Sequence, residues 1–418
     1  MSKFISPEIQ KLLHEITNES DLSRIFSLWS YNREKLEGLR LLTNLENYSS
    51  KIIPEYIKKT VFEGKSKVFV QEFYKSENLF ALSNEILDKH QSSASLAVPI
   101  DYSLLLDSNY VGSADLFLRG ISLGNNHEAF TKSIHHITQN KINCDALPYL
   151  LENAEHITER MNDVKRTFAN FLRITSATPK GEHIHTIDDL EFSLTEAESL
   201  SLADQRIQNF FGDKEILQHQ ISRQKIDFYL ILSIIHIEHQ TKGSLEEKFL
   251  ALIKIMHTEL PGIALRELAI AYKYFKNNNS IFILANVGKL IKEEEDALKA
   301  IRNISWDFHF FRLMETWASD TSKGAFFIPI FVTLDKRLAN LNEIHPIKYS
   351  VFHDTERKMY TAPTYSIKDQ IDNKACRLIL EEYFTTQKIN HRSQTKHLSP
   401  DAIEERITQK GSDLNAVF

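Results

Sequence analysis

Cysteine is almost missing from this chain: Cys144 and Cys376 are the only two in 418 residues. Two distant thiols exclude a disulfide framework and a cysteine-rich zinc site, and they suit a reducing cytoplasm. Glycine and proline are also scarce, at 12 and 10, which argues against a turn-rich all-β architecture and predicts long helices. Positive charge is not in excess. A formal net charge of −6 excludes a globally basic surface that grips duplex DNA indiscriminately, while leaving room for a local basic groove. No apolar run is long enough for a bilayer: "FYLILSIIHIEH" is broken by His236 and falls short of the roughly 20 residues a spanning helix needs. The start, "MSKFISPEIQKLLHEI", has no apolar core followed by a small-residue cleavage site, so no signal peptide is expected. These absences together predict a soluble cytoplasmic protein with no membrane partner.

The residues present are those of an ordinary globular chain, with 42% hydrophobic and 25% charged content, enough to build the cores of two or three domains. "SPEIQKLLHEI" opens a helix, with proline directly after a capping serine. Helical patterns broken by polar stretches run to about residue 95, and "SSASLAVPID" reads as a loop entering a strand. Two apolar runs stand out as strands, "VPIDYSLLLDSN" and "AFFIPIFVTLD". Between them lie helical segments that include "HEAFTKSIHHITQ", "QKIDFYLILSIIHIEHQ" and "LRELAIAYKYFKN". "KEEEDALKAIRNISWDFHFFRLMETWA" reads as one helix before a loop containing "DTSKG", and after about Ile344 the chain turns polar and irregular.

Both strand candidates run into an aspartate, Asp107 and Asp335. Ligand sites of open α/β sheets lie beyond the carboxyl ends of the strands, so a pair of acids delivered there is a candidate site. Taken singly, each aspartate is equally well a helix or turn cap. Glu152, in "LPYLLENAEHI", reads as an acid in a helix's first turn, where the macrodipole favours it, with Glu155 one turn on. On a helical wheel of about 100° per residue, Arg302, Ser305, His309, Arg312 and Thr316 share a narrow polar arc, whereas Asp307 falls among apolar positions. A carboxylate turned towards a core needs an ion pair or a bound cation.

In chain order, Asp107 in "LLLDSN", Glu152 in "PYLLEN", Asp307 in "ISWDFHFFRL" and Asp335 in "IFVTLDKRLA" resemble the motifs of PIN-domain nucleases. The resemblance implies a parallel sheet flanked by helices, with these four acids gathered as catalytic and metal-binding residues. Crowded carboxylates about 4 Å apart, at an effective dielectric of about 20, repel by about 4 kcal/mol per pair. A hard cation such as Mg²⁺ or Mn²⁺ would relieve this and activate a water against a phosphodiester. The expected activity is endonucleolytic cleavage of single-stranded or structured RNA, in a toxin or defence setting, with a protein inhibitor or activator as a further partner. Lys336 and Arg337 are candidate contacts to the RNA backbone, or simply a solvated first helical turn.

The corresponding layout is an N-terminal helical domain over 1–98, a PIN-like domain over 99–343 and a polar extension over 344–418. The family's domain is compact, so the excess length implies a helical insertion over about 165–290. Two other readings stay open. Arg302 and His309, seven residues apart and about 20° apart on the wheel, resemble the metal-independent HEPN ribonuclease motif, in which histidine does acid–base work beside a phosphate-neutralising arginine. A non-enzymatic helical interaction protein, its acids serving as caps and salt bridges, is the other. The histidines of "HEAFTKSIHHITQ" and "GEHIHTI" show no matching ligand set in the sequence.

Overall fold

The computed structural model describes residues 5–92, 100–260, 262–318, 326–338, 341–355, 358–394 and 398–418. The chain is α/β and mainly helical, with several small sheets. No described helix is long and apolar enough to cross a membrane. The "DTSKG" loop and most of "SSASLAVPID" lie outside the described residues.

The chain divides into two compact units. The first comprises Met1–Ile207, Leu313–Asn342 and Pro346–Thr364; the second comprises Gln208–Arg312, Glu343–His345 and Tyr365–Phe418. This differs from the expected layout at each boundary. Residues 1–98 do not form a helical domain apart, because they supply β1 (Leu39–Asn44), β2 (Phe69–Glu72) and β3 (Leu79–Ser83) to sheets that also contain strands from far along the chain. Strand β1 was illegible as a strand because Leu39–Thr43 is buried on both faces, which removes the polar–apolar alternation that marks a half-exposed strand.

The remaining strands are β4 (Ile100–Leu106), β5 (Cys144–Asp145), β6 (Thr178–Pro179), β7 (Leu190–Glu191), β8 (Phe326–Thr333), β9 (Ile347–His353) and β10 (Lys358–Pro363). One sheet has the order β10-β9-β1-β3 and is antiparallel throughout. β9 and β10, in a stretch expected to be irregular, are two of its strands; Ser350 is a polar residue buried in the middle of β9, and its polarity hid the strand.

The second sheet positions the candidate site. Its order is β2-β8-β4-β5, with β4 parallel to both β8 and β5 and β2 antiparallel to β8. Leu104, Leu105 and Leu106 on β4 stand opposite Ile330, Phe331 and Val332 on β8, all six at most 3% exposed. Such near-continuous apolar strands belong to sheet centres covered on both faces. The crossover from β4 to β5 runs through the helices Ser108–Leu118 and His127–Gln139. The Ser108–Leu118 helix buries Tyr110, Val111, Ala114 and Phe117 and packs on the helix Ile157–Thr175.

The second unit is helical. Lys214–Gln240, Leu245–Thr258, Leu265–Lys276, Lys374–Tyr383 and Pro400–Asn415 are its main members, together with Ala297–Trp317 as far as Arg312. The 27-residue helix Lys214–Gln240 packs on Pro400–Asn415, Leu245–Thr258 and Leu265–Lys276. A buried polar seam runs through this unit. The His309 Nδ1 lies 2.7 Å from an Asp227 carboxylate oxygen, and the other oxygen is 2.9 Å from Arg312 Nε. Arg312 Nη2 reaches Glu267 at 2.8 Å, and the Gln224 amide donates to Ser305 at 3.1 Å. The polar arc of the wheel therefore turns inward at Ser305 and His309, both wholly buried: Ser305 accepts from Gln224 and the His309 Nδ1 meets Asp227, both on the neighbouring helix Lys214–Gln240.

Candidate active site

The carboxyl ends of β4 and β8 meet at a small polar cluster. Asp107 directly follows β4 and caps the Ser108–Leu118 helix, its Oδ1 accepting from the Tyr110 N–H at 2.7 Å. Its own N–H continues the ladder to Val332 O at 3.2 Å. Its second oxygen, Oδ2, accepts a short hydrogen bond from the Thr333 hydroxyl. That same hydroxyl accepts from the Asp335 N–H at 2.9 Å. Thr333 thus ties the acid at the end of one parallel strand to the backbone of the acid at the end of its neighbour. The bonds that cap the helix therefore also hold Asp107 at the carboxyl end of β8.

Glu152 joins Asp107 from a third element. The sequence suggested a helix's first turn, but Glu152 is the last residue of the short helix Leu147–Glu152, so the macrodipole there does not favour a carboxylate. Pro148 starts the helix earlier than the apolar pattern implied. The buried Ser108 Oγ faces the Glu152 carboxyl and favours its ionised form, although it completes no hydrogen bond of good geometry. Glu155 is exposed, and it is the Glu152 carboxyl that feels the charge on Asp107.

Burial dominates the electrostatics. Desolvation pushes the Asp107 carboxyl up to about 7, against the hydrogen bonds from Thr333 and Tyr110, and the charge on Asp335 adds to the rise. Desolvation likewise pushes Glu152 up to about 8, the hydroxyl of Ser108 opposing it and the charge on Asp107 assisting it. Part of the Glu152 surface still meets solvent, but the atoms packed round its carboxyl outweigh that exposure.

A pH dependence follows from these two groups. Their folded values lie above the ordinary carboxylate values of about 4. Below about pH 4 both states are protonated and the groups contribute nothing. As the pH climbs towards 7 and 8, the unfolded chain releases protons that the native state retains, so their contribution to stability falls. In chelator-treated protein, the melting temperature is expected to be higher at pH 5.5 than at pH 8, and that difference should shrink in an Asp107→Asn/Glu152→Gln variant. An unchanged difference, measured by calorimetric melting, would assign the pH dependence to other groups.

The third acid is differently placed. Asp335 precedes a 3₁₀ turn, Lys336–Leu338, rather than the helix expected from "KRLANL". Its side chain is 13% exposed and is held by Arg337, whose own side chain is 37% exposed. Arg337 Nε donates to both carboxylate oxygens, at 3.0 and 2.8 Å, Nη2 donates to Oδ2 at 2.5 Å, and the Arg337 N–H donates to Oδ1 at 2.8 Å. Lys336 is exposed. Asp307 is carried on Ala297–Trp317 in the second unit, where it is half-buried. Arg302 lies over the Phe228 ring at 5.5 Å, a packing contact within that unit.

The first unit therefore assembles Asp107, Glu152 and Asp335, with Thr333 and Ser108 as hydroxyl neighbours. Thr333 escaped the sequence reading, although its place two residues before Asp335 in "VTLD" was the available signal. All five side chains offer oxygen, the donor type that Mg²⁺ and Mn²⁺ prefer, and the raised carboxyls of Asp107 and Glu152 reflect their burial first and the charge of a neighbouring carboxylate second. Among the described residues, however, no three His, Cys, Asp or Glu groups are placed to hold a metal ion together. The donor chemistry fits a hard cation; Asp335 is engaged by Arg337 instead.

A second feature gathers residues that are far apart in sequence. His127, His135 and His136 line a cavity of about 500 Å³ with His183 and His185. His135 Nε2 is committed to Gly181 O at 3.0 Å and His136 Nε2 to Tyr56 O at 2.6 Å, so these two rings bind the fold together.

Compared with known proteins, the chain matches no family model, no curated protein and no solved structure.

Proposed function

We propose that the first unit is a metal-dependent phosphodiesterase that cleaves RNA internally, with its site at the carboxyl ends of β4 and β8. One observation carries this reading: adjacent parallel strands end in Asp107 and Asp335, Thr333 bridges them, and Glu152 stands beside Asp107. Mg²⁺ or Mn²⁺ would be held by Asp107 and Glu152, joined by Asp335, and would supply Lewis acidity and an activated water to a phosphodiester. Asp107 is fixed by its cap and by Thr333, so its oxygens are preorganised rather than recruited. Glu152, whose carboxyl is raised by burial, would be ionised by the cation it helps to hold, its proton passing to solvent. Exposed Lys336 supplies a cationic contact for the RNA backbone beside Asp335. Asp307, in the other unit, has no part in this reading. RNA as the substrate class rests on the resemblance of "LLLDSN" and "FVTLDKRLA" to PIN-domain motifs.

The direct test is Mn²⁺ binding by titration calorimetry to the native chain and to an Asp107→Asn/Asp335→Asn variant that retains its circular dichroism. Binding by the native chain alone supports the reading. Absence of binding by both, with single-stranded RNA present, overturns it.

A further inference from the structure

We infer that Arg337 is a built-in counter-ion of this site, occupying Asp335 in place of a divalent cation and competing with it. The inference rests on the carboxylate-site reading above and adds to it a regulator within the chain. Both Asp335 oxygens are taken: Oδ1 accepts from the Arg337 N–H and Nε, and Oδ2 accepts from Nε and Nη2. The guanidinium presents its fork side-on to the carboxylate, a geometry that delivers charge and two or more hydrogen bonds together. A cation bound to Asp335 Oδ2 needs the lone pairs that Nε and Nη2 now use. The two occupants therefore exclude each other at that oxygen.

The pairing is local, between residues two apart in the chain. Asp335 is the fixed half: its side chain is 13% exposed and its N–H is pinned by Thr333. Arg337 is the half that can leave, because more than a third of its side chain already meets solvent. Release of Arg337 would turn Asp335 from one half of an ion pair into a ligand beside Asp107. Lys336 lies next to Arg337 yet makes no such bond to Asp335 among the described interactions, so its charge acts only at a distance.

The test is Mn²⁺ affinity by calorimetry, with no RNA present, for the native chain and for Arg337→Ala, Arg337→Lys and Lys336→Ala. Arg337→Ala should bind Mn²⁺ about tenfold more tightly, the scale of one charge-assisted hydrogen bond gained or lost. Arg337→Lys, which keeps the charge and loses the fork, should fall between Arg337→Ala and the native chain, and Lys336→Ala should stay within about twofold of native. Equal affinity in the native chain and Arg337→Ala overturns the counter-ion while leaving the carboxylate site standing. Weaker binding in Arg337→Ala overturns it too, by making Arg337 a support of the site. If no variant binds Mn²⁺, the carboxylate-site reading itself fails and this inference falls with it.

Discussion

On the proposed phosphodiesterase reading, Asp107→Asn is expected to give a folded protein whose metal-dependent RNA cleavage has fallen by at least about a hundredfold, since even the partners behind a metal's ligands are worth ten- to a hundredfold. The fold should tolerate the change for reasons visible in the cap. Asparagine caps helices as well as aspartate does, and its Oδ1 can accept from the Tyr110 N–H as the carboxylate does at 2.7 Å. Its amide can donate to Thr333, whose hydroxyl has lone pairs for both that amide and the Asp335 N–H. The substitution also removes a carboxyl whose burial has pushed it up to about 7, so above that pH the variant no longer buries an ionised group and its stability should equal or exceed native. Cleavage of a fluorescent RNA oligonucleotide in Mn²⁺, alongside urea unfolding, separates the two effects. Native-like cleavage by a well-folded variant would remove Asp107 from the chemistry. A severe loss of stability would show that the carboxylate itself is needed by the fold and would favour a structural role for Asp107.

The largest expected effect on stability lies in the second unit. Asp227→Ala should cost about 3–5 kcal/mol, the penalty for removing one partner of a buried ion pair. Asp227 is 5% exposed and serves two cations or potential cations, His309 at 2.7 Å and Arg312 at 2.9 Å. Removing it leaves Arg312 with Glu267 and deprives His309 of its Nδ1 partner, in a ring whose Nε2 already lacks a hydrogen bond. Asp227→Asn keeps one acceptor and should cost less. The midpoint of urea unfolding measures both. A loss under about 1 kcal/mol, typical of an exposed pair, would show that Glu267 alone holds the seam. If stability is kept and RNA cleavage vanishes, His309 becomes the better catalytic candidate and the metal-independent reading displaces the carboxylate one.

The legible parts of this chain were those with one dominant signal. Apolar runs ending in Asp107 and Asp335 revealed β4 and β8, and sparse glycine and proline revealed the helices. β1 and β9 were hidden because a central strand buried on both faces loses its alternation, and Ser350 inside β9 looked like surface. The wheel grouped Ser305, His309 and Arg312 correctly, but periodicity fixes a shared face without saying what covers it; the covering group, Asp227, lies 82 residues earlier than His309. Glu152 was located in sequence, yet its position at a helix end depended on where Pro148 started the turn. Arg337 was singled out in the sequence as a phosphate contact, whereas its bonds to Asp335 and the bridge made by Thr333 depend on hydrogen-bond geometry around two carboxylates that spacing alone does not give.

The sheets of the first unit also set an order of events during synthesis. β1 finds β9 only after more than three hundred residues have followed it, and β2 and β4 find β8 after more than two hundred. Until residues 326–353 emerge, β4 offers an open, apolar edge, the kind of surface that recruits unwanted strands. The helices between, rich in local contacts, can form first. A chain halted before residue 326 therefore has Asp107 already in sequence but no neighbouring strand to receive it: competence for the proposed chemistry arrives only once β8 has emerged.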